Sequence, residues 1–217
     1  MTKLPGLLFV IALPVLTAAE RVEIDNAQVR VRSIENAADS KSALHRHNGN
    51  RVIVYLDAGA ETLTGAGGEV EKISWRAGEV KWSPAIGLHA TANATGRPFR
   101  FIEVELKNPP SGKPVNWPRL DPVALDPRRY PLEIDNAQVR VFRAKWGPHD
   151  KAPQHEHVVN RVLVFLTDGV VKMTAADGAV TERQYKAGDV IWGTPVTHTD
   201  ENVGDKSVEA VVVELKP

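Results

Sequence analysis

The sequence predicts an all-β protein built as two tandem β-sandwiches of the jelly-roll type, related by internal duplication. Three observations carry this. The chain repeats itself at an offset of 110 residues. Short runs of alternating or β-branched residues recur between turn signals at a regular spacing. No stretch long enough for a helix carries an apolar stripe of helical period.

The repeat comes first because it organises everything else. Ile24-Asp25-Asn26-Ala27-Gln28-Val29-Arg30-Val31 recurs residue for residue as Ile134 to Val141. At the same offset His45-Arg46-His47 meets His155-Glu156-His157, and Asn50-Arg51-Val52 meets Asn160-Arg161-Val162. Ala77-Gly78-Glu79-Val80 meets Ala187-Gly188-Asp189-Val190, with Trp82 over Trp192. After a one-residue gap His89 and Asn93 meet His198 and Asn202, and Val104 to Lys107 meets Val213 to Lys216.

Within each unit the strand-like runs are Arg51 to Leu56, Gly68 to Trp75 and Phe99 to Leu106, matched by Arg161 to Leu166, Ala179 to Tyr185 and Val208 to Leu215. About eight strands per unit follow from that spacing. Asp177-Gly178 is a strong hairpin signal, and Gly65-Ala66-Gly67-Gly68 stands at the matching place. Between the units six prolines fall within residues 108–130. That density argues against helix and central strand and predicts a stiff connector on the surface.

The domains expected are therefore 20–107 and 131–217, joined by a Pro-rich linker over 108–130. Residues 1–19 read as a secretory signal: Lys3, a short apolar run through Leu13, then small residues before a cut after Ala19. The run is too short and too broken by proline for a comfortable membrane span. The expected location is the periplasm or the exterior, with no membrane contact after cleavage.

Lys plus Arg and Asp plus Glu are 27 each, so no net charge directs the chain to nucleic acid. There is no cysteine. Disulfides, thiolate metal sites and cysteine nucleophiles are excluded, and the seven histidines remain as the softest donors.

Six of the seven histidines fall on the duplicated frame: His45, His47 and His89, then His155, His157 and His198. Residues two apart on a strand face the same way, so each His-x-His pair presents two imidazoles together. A third from a distant strand completes a three-nitrogen set with open positions for water or substrate. Iron, manganese, nickel, copper and zinc all suit imidazole, and the sequence does not choose among these divalent transition metals.

On these residues each unit resembles a cupin domain, and nearly all of the mature chain is similar to a bicupin. The first cupin motif is represented by His45 and His47 leading to Gly59, and by His155 and His157 leading to Gly169. The second is represented by Gly78, Pro84, His89 and Asn93, and by Gly188, Pro195, His198 and Asn202. The resemblance implies a jelly-roll barrel with a metal held by both triads. Two features depart from the pattern. The motif's glutamate falls at Arg51 or Val52, and at Arg161 or Val162, none of which is acidic. The glycine before each His-x-His is replaced by Asp39 and His149. Cupins with three His and no Glu ligand include dioxygenases, so an oxygenase-type metalloenzyme remains within the resemblance.

An inward arginine about 5 Å from a dication would be repelled by roughly 6 kcal/mol at an effective dielectric near 20, unless an anion lies between them. The repulsion favours Arg51 and Arg161 facing outward with Val52 and Val54 inward. Trp82 and Trp192 are expected in the core, and His149 in a loop after Gly147-Pro148. No acid/base group is evident that recurs at both triads. Two functions stay open: a metal-dependent, oxygenase-type enzyme acting on a small anionic substrate, and a non-catalytic periplasmic binding module for a small anion or metal ion. An anionic partner follows from three neutral imidazoles leaving the full charge of a dication uncompensated. A homodimer is left open.

Overall fold

The computed structural model describes residues 19–217. The expected export signal lies outside the described residues, apart from its last residue, Ala19. The first unit comprises β1 (Ala19–Asp25), β2 (Val29–Asn36), β3 (Arg51–Tyr55), β4 (Gly59–Gly65), β5 (Val70–Trp75), β6 (Val80–Ser83), β7 (His89–Asn93) and β8 (Phe99–Leu106). A single helical turn, α1 (Pro122–Leu125), follows. The second unit comprises β9 (Leu132–Asp135), β10 (Val139–Trp146), β11 (His155–His157), β12 (Arg161–Phe165), β13 (Gly169–Ala175), β14 (Val180–Tyr185), β15 (Val190–Gly193), β16 (Val196–Asn202) and β17 (Val208–Leu215). Among the described residues no helix is long and apolar enough to cross a membrane.

Each unit folds two antiparallel sheets against each other. The first has the orders β1-β2-β8-β3-β6 and β5-β4-β7; the second has β9-β10-β17-β12-β15 and β14-β13-β16-β11. The duplicated sequence thus gives duplicated topology. The predicted hairpin forms between β13 and β14, with Gly178 at φ 88°, and Gly68 turns its counterpart at φ 87°. Only glycine adopts that conformation without strain.

The two five-stranded sheets face each other. Val29, Val31, Val52, Val54, Ile102, Val104 and Leu106 of the first form one buried cluster with Val139, Val141, Val162, Val164, Val211, Val213 and Leu215 of the second. Trp82 and Trp192 pack against it, as expected for core residues. The side chains alternating with these point into the two barrels. Each inner strand is therefore buried on both faces, a circumstance a single sandwich does not create.

The identical octapeptide serves this contact. Ile24, Val29 and Val31, with Ile134, Val139 and Val141, are part of the shared cluster or pack on it. Asn50 Nδ2 donates to Gln138 Oε1 at 2.5 Å, and Asn160 Nδ2 donates to Gln28 Oε1 at 2.6 Å. Asn26 and Asn136 each accept from two backbone N–H groups and turn the chain into β2 and β10. The same eight residues do the same work on each side of a pseudo-twofold axis.

The linker departs from expectation in two ways. One helical turn forms at Pro122–Leu125, because proline is tolerated at the start of a helix, where its missing N–H has no partner to lose. The connector is also not confined to the surface. Asp121 and Tyr130 are buried against the second barrel.

Candidate metal centres

Both triads assemble. In each group the candidate ligand atoms of His45, His47 and His89, or of His155, His157 and His198, lie within 4.8 Å of one another. In the second unit β11 pairs with β16, placing His155 opposite His198. In the first the pair is an isolated bridge, with backbone hydrogen bonds of 2.8 Å in both directions between His45 and His89. The His45–His89 and His155–His198 ring centroids are both 4.4 Å apart.

The rings are oriented by their second nitrogens. Nδ1 of His45, His89 and His155 lies 2.9, 2.9 and 3.0 Å from the carbonyl oxygens of Ala43, Gly87 and Pro153. A carbonyl only accepts, so each Nδ1 carries the proton and each Nε2 keeps its lone pair. His157 Nδ1 faces Glu214 Oε1 at 2.8 Å, a carboxylate–imidazole pair of the kind that orients metal ligands. Burial pushes His47 and His155 down to about 4, lowers His89 and holds His157 well below the ordinary value. These imidazoles are neutral at physiological pH, the state a metal requires. His198 is buried with neither ring nitrogen in a hydrogen bond among the described residues. Such an orphan is costly unless a ligand completes it. The donor set thus fits a divalent transition-metal ion at both places.

The surroundings differ sharply. The first triad opens into a cavity of about 700 Å³. Its walls include Tyr55, Glu61, Lys81, Ser83 and Phe101 as well as Arg51 and Glu103. Burial pushes Glu61 up to about 7, against the lowering effect of the hydrogen bond that Asn36 donates at 2.7 Å. The second barrel is filled instead. Tyr130, Phe142, Ala144, Trp146, Phe165, Val171 and Val212 pack its interior, and His155, His157 and His198 are 1%, 5% and 5% exposed.

Arg51 and Arg161 correct the sequence expectation. Both are buried and face into the barrels, while Val52 and Val54, with Val162 and Val164, face the other unit. An anion pairs with Arg51, and another lies near Arg161. Arg51 Nη1 donates to Glu103 Oε2 at 2.8 Å and Nη2 to Ser83 at 2.6 Å. Arg32 takes the other Glu103 oxygen. Burial raises the Glu103 carboxyl, but Arg51 and Arg32 outweigh it and hold the group below its ordinary value. Arg161 donates to the Thr194 carbonyl at 2.6 Å, and burial lowers it below its ordinary value although Glu214 partly offsets its charge. The outward alternative fails because the outer face is apolar core, where a guanidinium would find no partner.

The acids near the triads were missed. Glu105 and Glu214 recur on the duplicated frame, and the period of β8 and β17 turns both toward the barrel interiors; Glu105 lines the first cavity and Glu214 holds His157. Glu61, Glu103 and Asp200 have no acidic counterparts at their repeat positions, so no repetition signals them. His149 lies in the expected loop, exposed, with Nε2 2.9 Å from Asp205 Oδ1. Its φ is 55°, so it adopts the backbone conformation for which a glycine would ordinarily be used.

By sequence, no family model and no curated protein matches the chain. Solved structures do match. The Bacillus subtilis oxalate decarboxylase, described with Mn(II) centres, aligns over 92% of this chain and 72% of its own at 14% identity and a TM-score of 0.63. A cupin 2 conserved barrel domain protein from Leptotrichia buccalis aligns over 95% and 92% at 12% identity and a TM-score of 0.57. Salicylate 1,2-dioxygenase from Pseudoaminobacter salicylatoxidans, in adducts with gentisate, aligns over 86% and 68% at 9% identity and a TM-score of 0.58. At such identities the likeness is one of fold. Two barrels, their duplicated strand order and a histidine triad in each make this chain a bicupin in fold.

Proposed function

We propose that the protein is an exported, transition-metal-dependent bicupin enzyme of the oxygenase type, and that its first barrel takes a small carboxylate-bearing substrate. The observation that carries this is the pairing of an open three-imidazole set with a cavity that also holds Arg51. Oxalate and gentisate, named with the similar structures, are carboxylates of the size such a cavity admits.

His45, His47 and His89 would hold the ion, which supplies a Lewis acid and, for iron, manganese or copper, a redox partner. The chain's own groups do the rest. Three neutral ligands leave the charge of the ion uncompensated, and that charge attracts an anion, whereas Glu103 already offsets Arg51. Arg51 is held in place by Glu103 and Ser83, so its guanidinium is pre-set to orient a carboxylate. Ile53, Ile73 and Phe101 supply apolar walls that shed water from the bound substrate. Glu61, titrating near neutrality, holds a proton that can be given or taken at its carboxyl oxygen.

The test is calorimetry of metal-loaded protein with oxalate and its neutral analogue oxamide, combined with an oxygen electrode and carbon dioxide detection over a panel of small carboxylates. Oxalate should bind at least tenfold more tightly than oxamide, and H47A should abolish that preference. Binding of carboxylates without turnover of any would favour the non-catalytic module. Equal binding of oxalate and oxamide would remove the anionic-substrate reading.

A further inference from the structure

Ser33 and Arg143 hold equivalent places in the repeat, two residues beyond Val31 and Val141 and on the same faces of β2 and β10 as those valines. Those faces look toward the other unit. Arg143 crosses to it, and its Nη2 donates to the Gly78 carbonyl at 2.6 Å. Within its own unit Nε donates to Glu133 Oε1 at 2.6 Å, and Nη1 lies 3.5 Å from Glu209 Oε2. A guanidinium is thus clasped by a carbonyl of one unit and two carboxylates of the other, at the edge of the shared apolar core.

Serine cannot repeat this at the symmetric place. The Ser33 hydroxyl stays within its own unit, 2.6 Å from Glu23 Oε1, and Glu23 is the counterpart of Glu133. The carbonyl equivalent to that of Gly78 belongs to Gly188. A Cβ placed on Gly78 would stand 3.4 Å from Arg143 Nη1, whereas one placed on Gly188 would meet only Leu56 within 4 Å, its chain neighbours aside. Between the units there is accordingly a cavity of about 360 Å³, with Ser33, Glu35, Leu56, Arg100, Gly188 and Asp189 in its wall. That volume is at the lower end of the roughly 300–1,000 Å³ range of small-ligand pockets.

The charges around this cavity suit a cation. Arg100 stands in place of Glu209 but turns to Asp57, with Nε 2.8 Å and Nη2 3.1 Å from the carboxylate. Arg21, also in the wall, is held by Glu23 at 2.7 Å. Each arginine therefore has an acid of its own, and Glu35 and Asp189 add two further negative charges.

We infer that this cavity is a binding site for a small guanidinium-bearing cation, the group that the second unit provides from its own chain as Arg143. The ligand's N–H groups would meet the Gly188 carbonyl and the Glu23 carboxylate, as those of Arg143 meet Gly78 and Glu133. A planar fork of donors reaches two such acceptors at once. Leu56 offers apolar surface to the ligand's stem. The site is separate from the first metal cavity, although Glu20, Ile34 and Phe101 line both, and it does not depend on either triad holding metal.

Methylguanidinium is the probe, followed by calorimetry and ligand-observed NMR, with methylammonium as the control. The unsubstituted protein should bind one equivalent, roughly tenfold more tightly than methylammonium, because a single ammonium cannot span both acceptors. S33R should abolish binding by filling the cavity from within the chain. E23Q should weaken binding about tenfold, the effect of losing one charge-assisted hydrogen bond. R143S should open the symmetric cavity, bind a second equivalent, and regain in methylguanidinium part of the melting temperature that it loses. The inference is overturned if the unsubstituted protein binds nothing, if methylammonium binds equally well, or if folded S33R binds undiminished. A folded R143S that takes up no second equivalent overturns it too. Should S33R not fold, unaltered affinity in E23Q decides against it in the same way.

Discussion

Glu61 and Val171 occupy the same place in the two barrels. Glu61 pairs with Asn93 across β4 and β7, and Val171 pairs with Asn202 across β13 and β16. Around this position the interiors diverge together. Tyr55 answers Phe165, Arg32 answers Phe142, Asn36 answers Trp146 and Glu103 answers Val212. One set leaves an open cavity with charged groups in its wall and the other a packed apolar core. The first interior therefore has room for a ligand beside its triad, and the second does not.

Glu61 should leave a signature in stability. Its carboxyl ionises near 4.5 in the unfolded chain and at about 7 in the folded one, so the native state holds a proton that the unfolded state releases between those values. Its contribution is complete below 4.5 and falls away as pH rises to 7, by about 3 kcal/mol at most. E61Q should flatten that decline. The difference between the two proteins in urea midpoints at pH 5 and pH 8 measures it; identical differences at both values would contradict the buried-acid assignment.

Val52 is the position at which a register error would place the missing glutamate. V52E should not tighten metal binding. It would bury an unpaired carboxylate in the apolar contact between the units, at a cost of several kcal/mol. Circular dichroism and solubility should report misfolding, whereas V52I should remain folded.

E103Q tests the charge that holds Arg51 and Arg32. Removing one partner from a buried ion pair costs about 3–5 kcal/mol. The melting temperature should fall by several degrees, and oxalate affinity should rise, because the guanidinium charge is no longer offset. A loss of oxalate affinity in folded E103Q would show that Glu103 acts only by positioning Arg51.

Export is tested at the N-terminus. Mass spectrometry of protein recovered from outside the cytoplasm should give a start at or near Glu20. Soluble protein that retains Met1 would contradict it.

The duplication, the hairpins and all six triad histidines were legible because each appears twice, and repetition separates signal from a common His-x-His pair. The facing of β3 was not. Arg51-Val52-Ile53-Val54-Tyr55 alternates, but with apolar residues in both phases, since Ile53 and Tyr55 line one barrel while Val52 and Val54 line the contact with the other. A single-sandwich picture has only one inside, and it sends the arginine out. The countercharge was equally hidden. Glu103 is brought to Arg51 by the β3–β8 pairing, over a separation of 52 residues. The linker's proline count announced an extended path but not its destination, because Trp117, Asp121 and Tyr130 acquire meaning only beside Arg140 and His155.

The reciprocal Asn50–Gln138 and Asn160–Gln28 bonds describe a surface that fits its own copy. A lone barrel carrying it would pair with an identical partner, and any change inside one would appear inside both. Joining the copies in one polypeptide lifts that constraint. Each interior can then be altered alone while the contact stays twofold. Covalent fusion is thus what permits one barrel to remain hollow while the other is packed solid. In this chain symmetry is kept in the apolar core where the halves touch and given up in their interiors.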